Sequence, residues 1–207
     1  MKKMTFQKYS VKVQVILAII FIPLNFFTSI FFTSVLKGPL FMDMIFVYAA
    51  SFIGIPCGLI VGIVHSMLNS IFYNHNIMYS IYGICCVTGT LLTRVFVTRH
   101  EDFSFLRLVL LFFFSAVLIS FEGSVIYAVF FSDTLGAKDN ATVLFLTYNL
   151  VLQNLSVQLS AFLARLPVNL FDKAIAVSFG FLIFLGVNRV YNKIEVNKYG
   201  RTDDGKS

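Results

Sequence analysis

Charged residues are scarce in this chain. Asp, Glu, Lys and Arg make up 13% of its 207 residues, whereas soluble domains carry about 25%. So little charge cannot cover the surface of a globule of this size, which excludes a soluble enzyme. The 58% hydrophobic content and the mean hydropathy of +0.85 exclude a disordered or collagen-like chain. The fold class predicted is therefore an all-α, polytopic membrane protein.

Cysteine is also rare, with three residues in the chain. Cys57, Cys85 and Cys86 all lie inside apolar runs, and neither their spacing nor that of the three histidines is typical of a metal site. A secreted scaffold held by disulfides is excluded on the same grounds. The cysteines are interpreted as small packing residues, and no metal or cofactor is predicted.

Catalytic motifs are missing as well. The chain has no Walker A loop, so it cannot itself hydrolyse ATP, and its fourth apolar run lacks a Ser/His or Asp/Asp pair for intramembrane proteolysis. A net charge of +6 would suggest nucleic acid in a soluble protein. In a membrane protein the cations are topology signals instead. We therefore expect neither an enzyme nor a nucleic-acid-binding protein.

Apolar runs long enough to cross a bilayer recur along the chain, since a crossing takes about 20 residues. Pro167 disfavours helix at the residue before it and is expected to separate the last two runs. A weaker stretch, 141–166, is interrupted by five polar or charged residues and is predicted to lie at the outer face as an amphipathic or re-entrant helix. The six predicted spans are residues 13–36, 40–52, 55–73, 77–96, 106–131 and 168–187.

Lysine and arginine cluster at the N-terminus, between the fourth and fifth spans, and at the C-terminus. By the positive-inside rule these places are cytoplasmic, so both termini lie inside and the number of crossings is even. Seven spans would put five C-terminal cations outside. We therefore expect one domain over 1–207 in the cell membrane, with a six-span bundle at 13–190 and cytoplasmic tails at 1–12 and 191–207. The cations left outside are Lys37, Lys138, Arg165 and Lys173.

Small residues follow one another at a spacing of four along the third span. This spacing places them on one helix face and lets another backbone approach closely, as helices in lipid require. It predicts a tight seam, with a helix of the same chain favoured over a partner subunit. The stripe consists of Gly54, Gly58, Gly62, Ser66 and Ser70.

Polar residues collect at the outer end of the predicted bundle. A carboxylate in a span costs roughly 2.5–3.5 kcal/mol, so Asp43 and Glu122 call for an explanation. Asp43 could instead favour a helix start, and Glu122 could be a neutral, hydrogen-bonded interior acid. We favour a cavity that is open to the outside and capped by 141–166. Amide side chains at this end can donate and accept hydrogen bonds, which suits a heteroaromatic or amide-bearing ligand. The candidate binding residues are Asp43, His65, Asn69, Asn76, Tyr82, Glu122, Asn149 and Asn154.

Three stretches resemble one known family. They are Pro39-Leu-Phe-Met-Asp43-Met-Ile-Phe, Gly54-Ile-Pro-Cys-Gly58-Leu-Ile-Val-Gly62 with its continuation to Asn69, and Leu166-Pro-Val-Asn-Leu-Phe-Asp172-Lys173. Together they resemble the substrate-binding S components of energy-coupling factor (ECF) transporters.

The resemblance implies a protein that captures a vitamin or similar micronutrient outside the cell. It also implies a transmembrane coupling subunit and two cytosolic ATPases as partners, besides the lipid bilayer. The first span departs from the family, because Ala18 has no second small residue at the spacing used for docking. The alternative is a solitary membrane sensor or receptor, or a structural membrane protein, without transport activity.

Overall fold

Helices are the only regular elements in the residues that the structure describes, which are 9–36, 39–98, 104–131 and 140–203. The structure is a computed structural model. A π-helical turn extends both α1 and α3, to Val35 and Tyr73, and a 3₁₀ stretch, Ile77–Tyr82, leads into α4. The α-helices are α1 Val11–Ile30, α2 Ile45–Ile53, α3 Ile55–Leu68, α4 Gly83–Thr98, α5 Phe105–Phe130, α6 Ala141–Leu152 and α7 Val157–Asp203.

Five of these helices are long and apolar enough to cross a membrane, counted over the described residues. Large hydrophobic side chains such as Phe27 and Phe105 are exposed on their outer faces, as expected for helices that contact lipid. The predicted all-α, polytopic membrane fold is confirmed. The five helices are Val11–Val35, Ile55–Tyr73, Ile77–Val97, Phe105–Phe130 and Val157–Ile194.

The second predicted span has a different form. Its helix, α2, has nine residues, which at 1.5 Å per residue is about 14 Å and too short to cross by itself. An irregular stretch, 39–44, leads into it, and every α2 residue but Phe46 is buried among the neighbouring helices. At Gly54 the chain is extended, and Pro56 then starts α3 in the first turn, where its missing N–H costs nothing. The count of six crossings remains a prediction.

The helix boundary predicted at Pro167 is wrong. α7 runs through this proline without interruption, because neighbouring helices can compensate the backbone hydrogen bond that a proline removes from a membrane helix. The chain breaks earlier, at 153–156, where Asn154 adopts a positive φ of 65°. The stretch 141–166 is therefore not one helix. Its first part is α6, too short to cross a bilayer, and its last ten residues begin α7.

Two of the predicted outer cations are not exposed. Arg165 and Lys173 are both part of α7 and are buried, with 3% and 1% of their surfaces exposed. A long helix can bury such residues where other polar groups of the bundle meet them. The described residues do not include the other two predicted outer cations, Lys37 and Lys138, or the parts of the predicted tails at 1–8 and 204–207.

The small residues of α3 pack against helices of the same chain. A Cβ added at Gly58 would lie 2.6 Å from Cγ2 of Thr90, and one at Gly62 would lie 2.6 Å from Cβ of Cys86. Both neighbours belong to α4, so only glycine allows this approach. The predicted seam within the chain is confirmed.

Replacement of Gly180 by alanine is expected to lower the free energy of unfolding by about 1–3 kcal/mol, the usual cost of overpacking. A Cβ there would lie 2.8 Å from the backbone oxygen of Ile45 and from Cβ of Tyr48, so α7 would have to move away from α2. Thermal unfolding in detergent measures the effect. Gly186→Ala on the same helix is the control: a Cβ there meets nothing within 4 Å, and it should be neutral or stabilise by up to about 1 kcal/mol. Equal effects of the two changes would contradict this packing.

Candidate ligand-binding site

The helix ends meet around a cavity at one end of the bundle, called here the cavity end. Phe131, at the end of α5, stacks on Tyr79 before α4 with 4.6 Å between ring centroids. Phe26 near the end of α1 contacts Phe72 after α3. The cavity between these ends has a volume of about 440 Å³, within the range of roughly 300–1,000 Å³ that small-molecule sites occupy.

Four of the predicted binding residues line this cavity. Asp43 comes from the stretch before α2, His65 from α3, Asn69 from the turn that extends it, and Tyr82 from the 3₁₀ stretch. These four residues, predicted to collect at one end of the bundle, thus line one and the same cavity.

The three other predicted amides do not line the cavity. Asn76 caps the 3₁₀ stretch, where its Oδ1 accepts a hydrogen bond of 3.0 Å from the backbone N–H of Met78. Nδ2 of Asn149 donates to the carbonyl of Phe145, one turn earlier in α6, at 2.7 Å. Asn154 occupies the turn before α7 with a positive φ. Short amide side chains commonly satisfy the nearby backbone in these ways.

Glu122 does not line the cavity either. Its Oε1 accepts a hydrogen bond of 2.6 Å from Oγ1 of Thr88, which ties α5 to α4. This contact agrees with the interpretation of Glu122 as a hydrogen-bonded interior acid.

An ion cluster that was not predicted as part of the site forms the floor of the cavity. Nζ of Lys173 lies 2.7 Å from Oδ2 of Asp172 and 3.5 Å from Oδ1 of Asp43. The cluster joins α7 to the stretch before α2. The sequence contains a signal for this cluster: Asp172 and Lys173 are adjacent opposite charges inside an apolar run, where a charge needs a partner.

Asn25 holds Asp43 in place, although it is not among the predicted residues. Its Nδ2 donates to the backbone oxygen of Asp43 at 2.5 Å, and its Oδ1 accepts from the backbone N–H of Phe46 at 2.9 Å. The Phe46 N–H lies in the first turn of α2 and has no partner inside that helix. Asn25, fully buried on α1, therefore fixes both the start of α2 and the position of the carboxylate.

Aromatic side chains form part of the wall. The rings of Tyr82 and Phe131 are nearly parallel, 15° apart, with 5.9 Å between centroids. Tyr79 and Tyr82 both line the cavity, and such rings favour contact with flat or cationic groups. The guanidinium of Arg165, also in the wall, lies 5.0 Å above the ring of Tyr127.

The site combines a carboxylate, two cationic side chains, a buried imidazole, an amide and aromatic rings around a cavity, a mixture of groups that is typical of small-molecule sites. Among the described residues, no three His, Cys, Asp or Glu side chains are grouped so as to hold a metal ion. No protein-family model, no curated protein and no solved structure matches this chain.

Proposed function

We propose that this chain is the substrate-binding component of an ECF-type uptake transporter and captures a vitamin or similar small, water-soluble compound. The observation that carries the proposal is the cavity of about 440 Å³ at one end of an apolar bundle, lined by Asp43, His65, Asn69 and Tyr82. Polar and charged groups inside a membrane bundle are costly, and they commonly mark a substrate site. The resemblance of the three sequence stretches to S components supports the same role.

The cavity end is proposed to face the outside of the cell. Lys12 precedes the first apolar turns of α1, and Arg189 and Lys193 lie near the far end of α7, so cations flank the end opposite the cavity. By the positive-inside rule that end is cytoplasmic. The protein then lies in the cell membrane with both termini inside.

Uptake against a gradient requires energy that this chain cannot supply, since its sequence has no ATP-binding loop. We therefore propose that it works with a transmembrane coupling subunit and two cytosolic ATPases. The cavity volume lies toward the small end of the range for ligand sites. It suits a vitamin of one or two rings and is too small to enclose a corrinoid.

Ligand binding is tested by thermal unfolding of the purified protein in detergent with a panel of vitamins and their precursors. A ligand present at a hundred times its Kd stabilises the folded state by about 2.7 kcal/mol, so one member of the panel should raise the melting temperature. Tyr82→Ala should reduce this shift, whereas Asn149→Ala, outside the cavity, should not. A melting temperature unchanged by every compound would contradict the proposal.

A second candidate, a solitary sensor or receptor without transport, is favoured by one observation on α1. Ala18 is fully buried in the bundle, and the exposed face of the helix carries bulky residues such as Ile16, Ile19 and Ile20. This face offers no small-residue stripe for a coupling subunit. Affinity purification from the native membrane separates the two functions, because only a transporter component should bring ATPases with it.

Topology is tested by cysteine labelling after the three native cysteines have been replaced by alanine. Gln153→Cys lies in the exposed turn before α7, and Lys193→Cys lies exposed near its far end. An impermeant thiol reagent added to intact cells should label position 153 only, and both positions after permeabilisation. Labelling of position 193 from outside would reverse the proposed orientation.

A further inference from the structure

The ion cluster at the cavity floor holds one more negative charge than positive. The carboxylates of Asp43 and Asp172 share the single ammonium of Lys173. Charges inside a membrane bundle are costly unless they are paired. The guanidinium of Arg165 also lines the cavity, but it lies over the ring of Tyr127 and is not part of this cluster. The surplus negative charge of the cluster is therefore suited to another cation.

The surplus charge is located on Asp43. Asp172 is fully buried and both of its oxygens are used: Oδ1 accepts from the backbone N–H of Met42 at 2.6 Å, and Oδ2 accepts from Lys173 at 2.7 Å. Within the described part of the chain, the Asp43 carboxylate has only the longer 3.5 Å contact with Lys173, and its Oδ1 makes no hydrogen bond. Its side chain is 33% exposed and lines the cavity, so the uncompensated carboxylate faces the ligand space.

His65 adds a second, independent observation. It lines the same cavity and is only 2% exposed, yet neither ring nitrogen has a hydrogen-bond partner among the described residues. A buried polar group without a partner is destabilising, and a bound ligand can supply the missing partner. A neutral imidazole offers one donor and one acceptor, and His65 and Asp43 line the same cavity.

We propose that the cavity binds a ring compound that carries a protonated nitrogen, such as an ammonium or amidinium group. The cation contacts the Asp43 carboxylate and donates a further hydrogen bond to His65. Its ring lies toward Tyr79 and Tyr82, whose faces favour flat and cationic groups. This inference rests on the proposed function and specifies the ligand class of the same site.

The test uses three probes of the same shape and different charge: benzamidine, benzamide and benzoate. At neutral pH they are cationic, neutral and anionic. Each is titrated against the purified wild-type protein in detergent, with the melting temperature as the readout, so that the comparison needs no variant. A hydrogen bond to a charged partner corresponds to roughly a tenfold or larger change in affinity. Benzamidine should therefore bind at least about tenfold more tightly than benzamide, and benzoate most weakly.

Two acid-to-amide variants connect the preference to the cavity floor. Asp43→Asn should remove the advantage of benzamidine over benzamide. Glu122→Gln, which is outside the cavity, should leave it unchanged and serves as the matched control. Loss of the preference in Glu122→Gln but not in Asp43→Asn would overturn the assignment to Asp43.

The outcomes separate this inference from the proposed function. Binding of benzamide or benzoate as tightly as benzamidine would overturn the ligand class and leave the binding role standing. If a member of the vitamin panel binds and no probe does, the charge of that compound is the test of the ligand class. A protonated nitrogen together with dependence on Asp43 supports the inference, and a neutral or anionic compound overturns it. If neither probes nor panel change the melting temperature, both proposals fail.

Discussion

Lys173→Met is expected to lower the free energy of unfolding by about 3–5 kcal/mol, the cost of removing one partner from a buried ion pair. The change keeps most of the side-chain volume but leaves the carboxylates of Asp172 and Asp43 without the ammonium that they share. Because Asp172 is fully buried, water cannot replace the lost partner. Thermal or denaturant unfolding in detergent measures the loss.

Two variants control this prediction. Lys193→Met removes an exposed lysine from the same helix and should change stability by no more than about 0.5 kcal/mol. Addition of Asp172→Asn to Lys173→Met should recover part of the loss, because it removes one unpaired charge and keeps an oxygen for the Met42 N–H. A Lys173→Met protein as stable as the wild type would show that the buried ion cluster does not form.

Asn25→Ala is expected to destabilise the protein by about 2–6 kcal/mol, since a buried polar group left unsatisfied costs about 1–3 kcal/mol and this change affects two. The two groups are the backbone oxygen of Asp43 and the backbone N–H of Phe46. Ligand affinity should fall as well, because the position of the carboxylate is no longer fixed. Unfolding and ligand titration of the same sample measure both effects.

Asn149→Ala is the matched control for this change. Among the described residues, the side chain of Asn149 bonds only to a carbonyl of its own helix, and it is partly exposed, so its replacement should cost no more than about 0.5 kcal/mol. If Asn25→Ala destabilised no more than Asn149→Ala, the bridge between α1 and α2 would carry no stability.

The helical spans were largely predictable because about 20 apolar residues in a row can do little else than cross a membrane. The continuity of α7 through Pro167 was not predictable in this way, because proline breaks helices in water more reliably than inside a bundle, where neighbours satisfy the freed carbonyl. The burial of Lys173 in an ion pair was not predicted, for a related reason. A lysine counts as a topology signal only at a span end, and its adjacent aspartate indicated an internal pair.

The sequence predicted how far along each helix the polar residues lie, but not the helix face on which each side chain is placed. Asp43 and Glu122 gave the same signal, a carboxylate inside an apolar run, yet the first faces the cavity and the second faces Thr88. In a soluble protein the polar side of a helix reveals its orientation. The outer face of α5 contacts lipid, so no polar outer side marks the orientation of the helix, and its sequence does not reveal which neighbour Glu122 meets.

The ion cluster also constrains the order in which the chain assembles during synthesis. Met42 and its acceptor Asp172 are 130 residues apart, and at 5–20 residues per second a ribosome takes roughly 6–26 s to make that length. Throughout this interval Asp43 has no counter-ion, and α2 is too short to cross the bilayer alone. The contacts of residues 42 and 43 with α7 therefore form only after α7 has been made. Part of the centre of the bundle is completed late, by a segment synthesised early.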